Sequence, residues 1–485
     1  MSGLRKALML SLGQRYTALI LQLVSSVIIA RLLSPVEVGI FSISAALIAI
    51  AHTMRDFGLG DYIIQERELT QNKVVCAFTI TLLIGVGLAL VLLLASPFVA
   101  SIYREDGLRR VLQVLALNFA LLPFASVGFA LLSRDMRFDT IFIVQTVAGI
   151  TQFVLSIFLA WRGHSYMSLA WASLASNLST LVMLRLLSKS QFPLRLRFKG
   201  IRAIGRFGAT SAAANLINEM GRNAHEFVIG YTLGFAAVGL LNKASGLLDT
   251  FHTAITQGAS RVLLPAFSSS NRVNSRIAED YSRTAQIYTA LAWPFFGLCA
   301  VLAYPMITLL FGAQWMESAP LVQIIAIGAS IYATYCFAPH VLTATGHVEY
   351  KLKANAIGVP IQVALMAVAS LVSLKAVVVT GIFTATLWFF LYAYLLKRTI
   401  GFSIRKYLHE LRNSAMVTLL TVALAALVHY YVQSQTPVVN LIIVGSCAAV
   451  VWLAAVRLLH PELWAELLGA FRSASTFIKR KFTRP

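Results

Sequence analysis

Residues 207–234 form a stretch long enough to cross a bilayer, for which about 20 residues suffice. Its middle nevertheless carries Asn215, Asn218, Glu219, Arg222, Asn223, His225 and Glu226. On a helix Asn215, Glu219, Arg222 and Glu226 share one face. An ionised side chain at the bilayer centre costs at least ~2.5–3.5 kcal/mol, so that face must look into protein or a water-filled cavity. Arg222, near the midpoint, carries a planar fork that can engage two oxygens of an anionic group and keeps its charge. Asn218 and Asn223 stand beside it as hydrogen-bonding groups. The same spacing also fits an internal ion pair of Arg222 with Glu219, Glu226 or Asp249.

Further polar side chains recur in neighbouring apolar runs. Asp249, His252, Thr253 and Thr256 make a polar stripe, and Asp249, Glu219 and Glu226 are the candidates for coupling to an ion. His52 and Arg55, followed by Asp56, could line a cavity mouth or mark a membrane boundary. Arg15 and Gln22 share the inward half of the first run. Lys243 could meet phosphate or snorkel outward, and His340 fits a satisfied core histidine. Cys76, Cys299, Cys336 and Cys447 lie far apart inside apolar runs, without metal-ligand spacing. No catalytic residue, metal or cofactor is expected.

The elements that position these residues are membrane helices. Hydrophobic residues make up 58% of the 485-residue chain and charged ones 12%, and the long apolar runs do not alternate, which selects helices over a barrel. Fourteen spans are expected, at about 11–33, 39–60, 74–96, 111–132, 141–161, 168–187, 207–233, 237–261, 285–311, 320–345, 354–373, 376–396, 415–434 and 438–460. With the N-terminus inside, nearly all the Lys and Arg fall on cytoplasmic ends and loops. Only Arg31, Arg104, Arg109, Arg110, Arg162 and Lys375 fall outside, the longest external loop being 97–110. That asymmetry places both termini in the cytoplasm. The net charge of +21 is therefore topogenic, with some attraction to anionic membrane lipids, and no nucleic-acid partner is expected. Pro123, Pro294, Pro339 and Pro360 lie within spans and are expected to kink them.

An internal repeat organises the spans. Residues 26–40 overlay 226–240 at an offset of 200, with Val-Gly pairs at 38–39 and 238–239 after a short turn in each copy. Residues 112–117 overlay 322–327 at an offset of 210. Six spans separate the copies, so they share an orientation. The expected fold is thus an all-α polytopic membrane protein with two six-helix lobes, 1–187 and 207–396, related by a pseudo-two-fold along the membrane normal. A basic cytoplasmic connector, 188–206, joins them. Two more spans in 397–460 and an amphipathic basic tail, 461–485, complete the chain. In such an architecture the site lies between lobes near the midplane.

The residues Ala30-Arg-Leu-Leu-Ser-Pro-Val-Glu-Val-Gly-Ile-Phe41, Asp56-Phe-Gly-Leu-Gly60 with Ile64-Gln65, Val228-Ile-Gly-Tyr-Thr-Leu-Gly234 with Val238-Gly239, and Gly312-Ala-Gln-Trp315 resemble polysaccharide transporters (Wzx-like) of the MOP flippase superfamily. The resemblance is closest to O-antigen and exopolysaccharide exporters. It implies translocation of an undecaprenyl-diphosphate-linked oligosaccharide across a bacterial inner membrane, alongside polymerase and chain-length or export proteins. It does not imply an enzyme. Two rival readings are a drug or cation antiporter of the same superfamily and a membrane polysaccharide polymerase or ligase. The latter usually exposes a sizeable external loop with paired Arg, His or acidic residues.

Overall fold

The computed structural model describes residues 2–55, 63–64, 66–188, 216, 219–273 and 276–469, and these are helical, without strands. Lipid offers a backbone no hydrogen bonds, so each span satisfies its own N–H and C=O groups. The hydroxyls follow suit: Ser44, Thr79, Thr81 and Thr421 each donate to the carbonyl one turn back at 2.8–3.0 Å. Eleven described helices are long and apolar enough to cross a membrane, and Tyr16–Leu32 adds a shorter apolar stretch. The three remaining expected spans are the first, seventh and eighth, which carry most of the polar side chains singled out above.

The chain divides into two compact units, Met1–Gly239 and Leu240–Pro485. The first holds α1 (Ser2–Leu32), α2 (Pro35–Arg55), α3 (Gln71–Tyr103), α4 (Asp106–Arg134), α5 (Phe138–Trp161), α6 (Met167–Leu187), α7 (219–232) and the start of α8 (Phe235–Val273). Helix α3 packs on α4, α4 and α5 on α6, and α1 on α5. Phe78 of α3 meets Val127 and Ala130 of α4 in one core cluster, and Val144 and Leu184 join Ala125 and Leu132 in another. Polar contacts tie α4 to α6: Asn118 donates to Ser173 at 3.2 Å and accepts from Asn177 at 3.0 Å. Between helices without a hydrophobic driving force, such bonds select the partner.

The second unit continues α8 and adds α9 (Ile277–Val301), α10 (Ala303–Leu310), α11 (Ser318–Ala333), α12 (Ala338–Ala344), α13 (Val348–Ser370), α14 (Leu374–Ile400), α15 (Ile404–Glu410), α16 (Arg412–Val432), α17 (Pro437–Leu459) and α18 (461–469). Helix α9 packs on α11 and α16, α14 on α11 and α13, and α16 on α17.

Four sequence expectations change. The external loop at 97–110 shrinks to Arg104 and Glu105, because α3 runs through Pro97 to Tyr103 and Glu105 caps α4 by accepting from the Gly107 amide. The ninth span breaks at Leu302, where Pro305 cannot bond to or clear the carbonyl one turn back. The tenth breaks at 334–337, and Pro339 does not kink a helix but sits in the first turn of α12, where its missing N–H costs nothing. The eighth span continues as one helix to Val273, about 58 Å at 1.5 Å per residue, well past the bilayer core. In the C-terminal tail the apolar face of α18 meets protein. Leu463 is 2% exposed and packs with Ala290, Val417, Ala455 and Val456, while Arg283 pairs with Glu462 at 2.9 Å. Residues 189–215 and 470–485, which hold most of the connector and the Lys479-Arg480-Lys481 run, lie outside the described residues.

Candidate functional site

Helix α7 presents one turn of polar side chains. The Asn223 amide donates to the Glu219 carbonyl at 2.9 Å and to its carboxylate at 3.0 Å. This leaves Arg222 only a loose partner: its Nε lies 3.8 Å from Glu219 Oε2, and its side chain is 76% exposed. His225 donates from Nδ1 to the Arg222 carbonyl at 2.9 Å and turns Nε2 toward Glu226 at 4.0 Å. The ion pair read from the spacing therefore forms with Glu219, and it does not bury the guanidinium. Asn215 and Asn218 lie outside the described residues.

The elements around α7 hold it by its backbone. Tyr103, at the end of α3, donates its hydroxyl to the Phe227 carbonyl at 3.1 Å and meets Tyr231 edge-on. Gly230 faces Ile43 of α2, where a methyl would come within 2.4 Å of Cδ1. Two residues then turn the chain into α8, with Gly234 at φ +85°, a conformation that side chains resist. The matching turn before α2 is built differently. Ser34 donates its amide (2.7 Å) and hydroxyl (2.9 Å) to Glu37, with Pro35 opening the helix. That is a capping arrangement legible as Ser-Pro-Val-Glu.

Just past these turns the two repeats touch reciprocally. A Cβ on Gly39 would lie 1.9 Å from the Phe235 carbonyl oxygen, and one on Gly239 would lie 2.1 Å from that of Pro35. Residues 35 and 39 correspond to 235 and 239 at the offset of 200, so each copy's glycine receives the other copy's helix start. Backbone meets backbone there, as small residues permit between membrane helices.

Helix α8 places its stripe on a different set of partners. Asp249 is exposed, whereas His252 bonds through Nδ1 to the Tyr288 hydroxyl at 2.8 Å and meets the Tyr332 ring edge-on at 4.9 Å. Thr256 returns its hydroxyl to the His252 carbonyl. Lys243 is 7% exposed, its ammonium 5.5 Å from the Phe311 ring centre and 5.8 Å from that of Trp315. In α2, His52 leans on Phe119 with centroids 4.7 Å apart, and Arg55 is half-buried in the last turn. Gln22 is exposed on α1, and the side chain of Arg15 lies outside the description, as does Asp56. The structure thus gathers Glu219, Arg222 and Asn223 into one cluster, and places His52, Gln22, Asp249 and Lys243 on other elements.

Two polar groupings had no signal in the sequence. Arg134, read as a topogenic charge, donates to the carbonyls of Ile63 at 2.7 Å and Glu66 at 2.6 Å, pinning the link between α2 and α3. At the break between α11 and α12, the hydroxyls of Tyr281 (3.1 Å) and Tyr407 (2.6 Å) converge on the Thr334 carbonyl. Each depends on partners dozens of residues away, and neither follows a helical spacing.

A family model described as "Polysaccharide biosynthesis protein" matches residues 28–320, more than half of the chain. The chain belongs to this family. Among its relatives are the lipopolysaccharide biosynthesis protein WzxC of Escherichia coli (strain K12), 21% identical over 63% of each chain. The succinoglycan biosynthesis transport protein ExoT of Rhizobium meliloti (strain 1021) is 24% identical over 64% of this chain and 63% of its own. The solved structure of the lipid II flippase MurJ in an inward closed conformation matches 94% of this chain and 99% of its own, with a TM-score of 0.74 and 13% identity. An inward-facing multidrug resistance MATE family transporter of the MOP superfamily matches 80% and 96%, with a TM-score of 0.63 and 14% identity. At such identities the structures establish a shared fold. The membership agrees with the motifs at 30–41 and 228–239.

Proposed function

We propose that this multi-pass membrane protein is a flippase that carries undecaprenyl-diphosphate-linked oligosaccharide units across a bacterial inner membrane for polysaccharide assembly. The observation that carries the reading is Arg222. In the expected seventh span this guanidinium, 76% exposed and about 16 Å along α7 from the turn at Leu233 and Gly234, would stand near the middle of a bilayer core roughly 30 Å thick. A charge held there without burial or a tight ion pair is one that an anionic ligand can engage. Glu219 and Asn223 hold the helix turn in shape and leave the arginine its reach. A diphosphate matches the fork of an arginine, and sugar hydroxyls would donate to the Asn223 side-chain carbonyl and bond to the Asn218 amide. The names of WzxC and ExoT support polysaccharide precursors as the cargo class.

In this reading the protein works by alternating access of two lobes, with both termini in the cytoplasm and Asp249, Glu219 or Glu226 as ion-coupling acids. His52, Arg55, Arg15 and Gln22 are further cavity candidates, whereas Lys243, buried against Phe311 and Trp315, is not. A polymerase and chain-length or export proteins would act on the delivered units. The test is Arg222→Ala in a strain lacking the wild-type gene, scored for surface polysaccharide and for the amount of membrane-inserted protein. Loss of polymer with normal insertion, and partial return with Arg222→Lys, is expected. Wild-type polymer in Arg222→Ala would remove the arginine from the mechanism.

A further inference from the structure

Away from α7, the second unit contains a cavity of about 470 Å³, lined by Trp293, Ile327, Ser330, Phe389, Phe390 and Arg412 among others. It is open at its side, where Ile327, Phe390 and Leu408 are each more than half exposed. The polar groups in its walls are already committed. Trp293 donates its indole N–H to the Ser330 carbonyl at 2.7 Å, Ser330 its hydroxyl to Ala326, and Thr334 and Thr386 theirs to Ile331 and Ile382. The Thr334 carbonyl is taken by Tyr281 and Tyr407. What the groove offers an occupant is hydrocarbon surface. At one end stands Arg412, exposed, with no carboxylate within ion-pair distance among the described residues. Glu410, two residues earlier, is engaged by Lys406 and Gln286. Lys397, Arg398 and Arg405 add exposed positive charge at the same end of α14 and α15.

We infer that this groove is a resident site for an anionic phospholipid. One acyl chain lies along Trp293, Ile327 and Phe390, and the headgroup phosphate sits on Arg412. The chemistry decides the occupant. A sugar or a peptide would leave its hydrogen bonds unmet on these walls, and a zwitterionic lipid would not reward the uncompensated cations. The inference rests on the chain being a membrane protein and not on the flippase reading.

The probe is phosphatidylglycerol with a photoreactive group on its acyl chain, incorporated into nanodiscs holding the full-length protein. Labelling is expected on peptides containing Ile327–Ile331 and Phe389–Phe390. Excess phosphatidylglycerol should compete and phosphatidylcholine should not. Arg412→Gln should cut labelling about five-fold, the worth of one basic residue against an anionic headgroup, and Ala415→Trp, which fills the groove, should abolish it. Labelling spread evenly over lipid-facing helices, or equal competition by phosphatidylcholine, would overturn the site. Competition by an isoprenyl diphosphate but not by phosphatidylglycerol would overturn it too, by assigning the groove to a transported lipid. If Ala415→Trp fails to fold, the competition on the wild-type protein decides alone. Polysaccharide export in Arg412→Gln is a separate readout, so either proposal can fail without the other.

Discussion

Arg222 and Lys243 are two cations in membrane helices with opposite surroundings. Arg222 is exposed and loosely paired, so its removal should leave the melting temperature of the purified protein within about 1 °C of wild type while export falls. Lys243 is buried against Phe311 and Trp315. Its stem and cation–π contacts predict a loss of about 1–2 kcal/mol in Lys243→Ala, visible as a lower melting temperature, with any export defect tracking the amount of folded protein. A Lys243→Ala protein that melts normally would refute that structural role. The cluster of Glu219, Arg222 and Asn223 was legible from spacing alone, because it lies within one helical turn. The aromatic cage of Lys243 was not, because Phe311 and Trp315 arrive from a loop whose path depends on the break at Leu302.

Among the elements, what distinguishes the structure from a row of straight spans is where helices stop. Prolines were visible in the sequence, but not their consequences. Pro97 is absorbed within α3, whereas Pro305 goes with a break and Pro339 opens a new helix. The difference lies in what receives the freed backbone groups. At the tenth span two tyrosine hydroxyls meet the Thr334 carbonyl, so the broken ladder is repaired from outside. Tyr407→Phe removes one of these donors from a buried acceptor that keeps the other, and should cost about 1 kcal/mol, read as a lower thermal midpoint. An unchanged midpoint would mean that the tyrosine does not hold the break. A second element-scale expectation concerns His460, buried where α17 passes into α18. Burial lowers its pKa, and nearby Glu462 only partly offsets this. The folded state therefore binds fewer protons than the unfolded chain as pH falls through the ordinary histidine range near ~6.5, and stability declines on acidification. His460→Gln should flatten that decline between about pH 7 and pH 5; a melting curve with the same pH dependence would exclude His460 as its source.

For the whole molecule, class and helical content were readable from hydropathy. The repeat's offset of 200 joins positions that touch: Gly39 with Phe235, and Gly239 with Pro35. Gly39→Val or Gly239→Val would drive carbon into a carbonyl oxygen, and overpacking of that kind costs about 1–3 kcal/mol or more. Both variants are predicted to lose folded protein to a similar degree, measured as the monodisperse fraction after detergent extraction. A tolerated valine at either position would show that the contact is not close. What no local pattern could supply is the set of partners for Arg134, Asn118 or His252, each fixed only once the helices have chosen their neighbours.

The reciprocal contact also has a mechanical character. Most helix pairs mesh like gears: ridges of side chains sit in grooves, and a change of angle must lift one set over the other. At Gly39 and Gly239 there are no teeth. The helix starts rest on each other backbone to backbone, with Val38, Ile40, Val238 and Leu240 buried on either side, and a methyl at either glycine would pry the two starts apart.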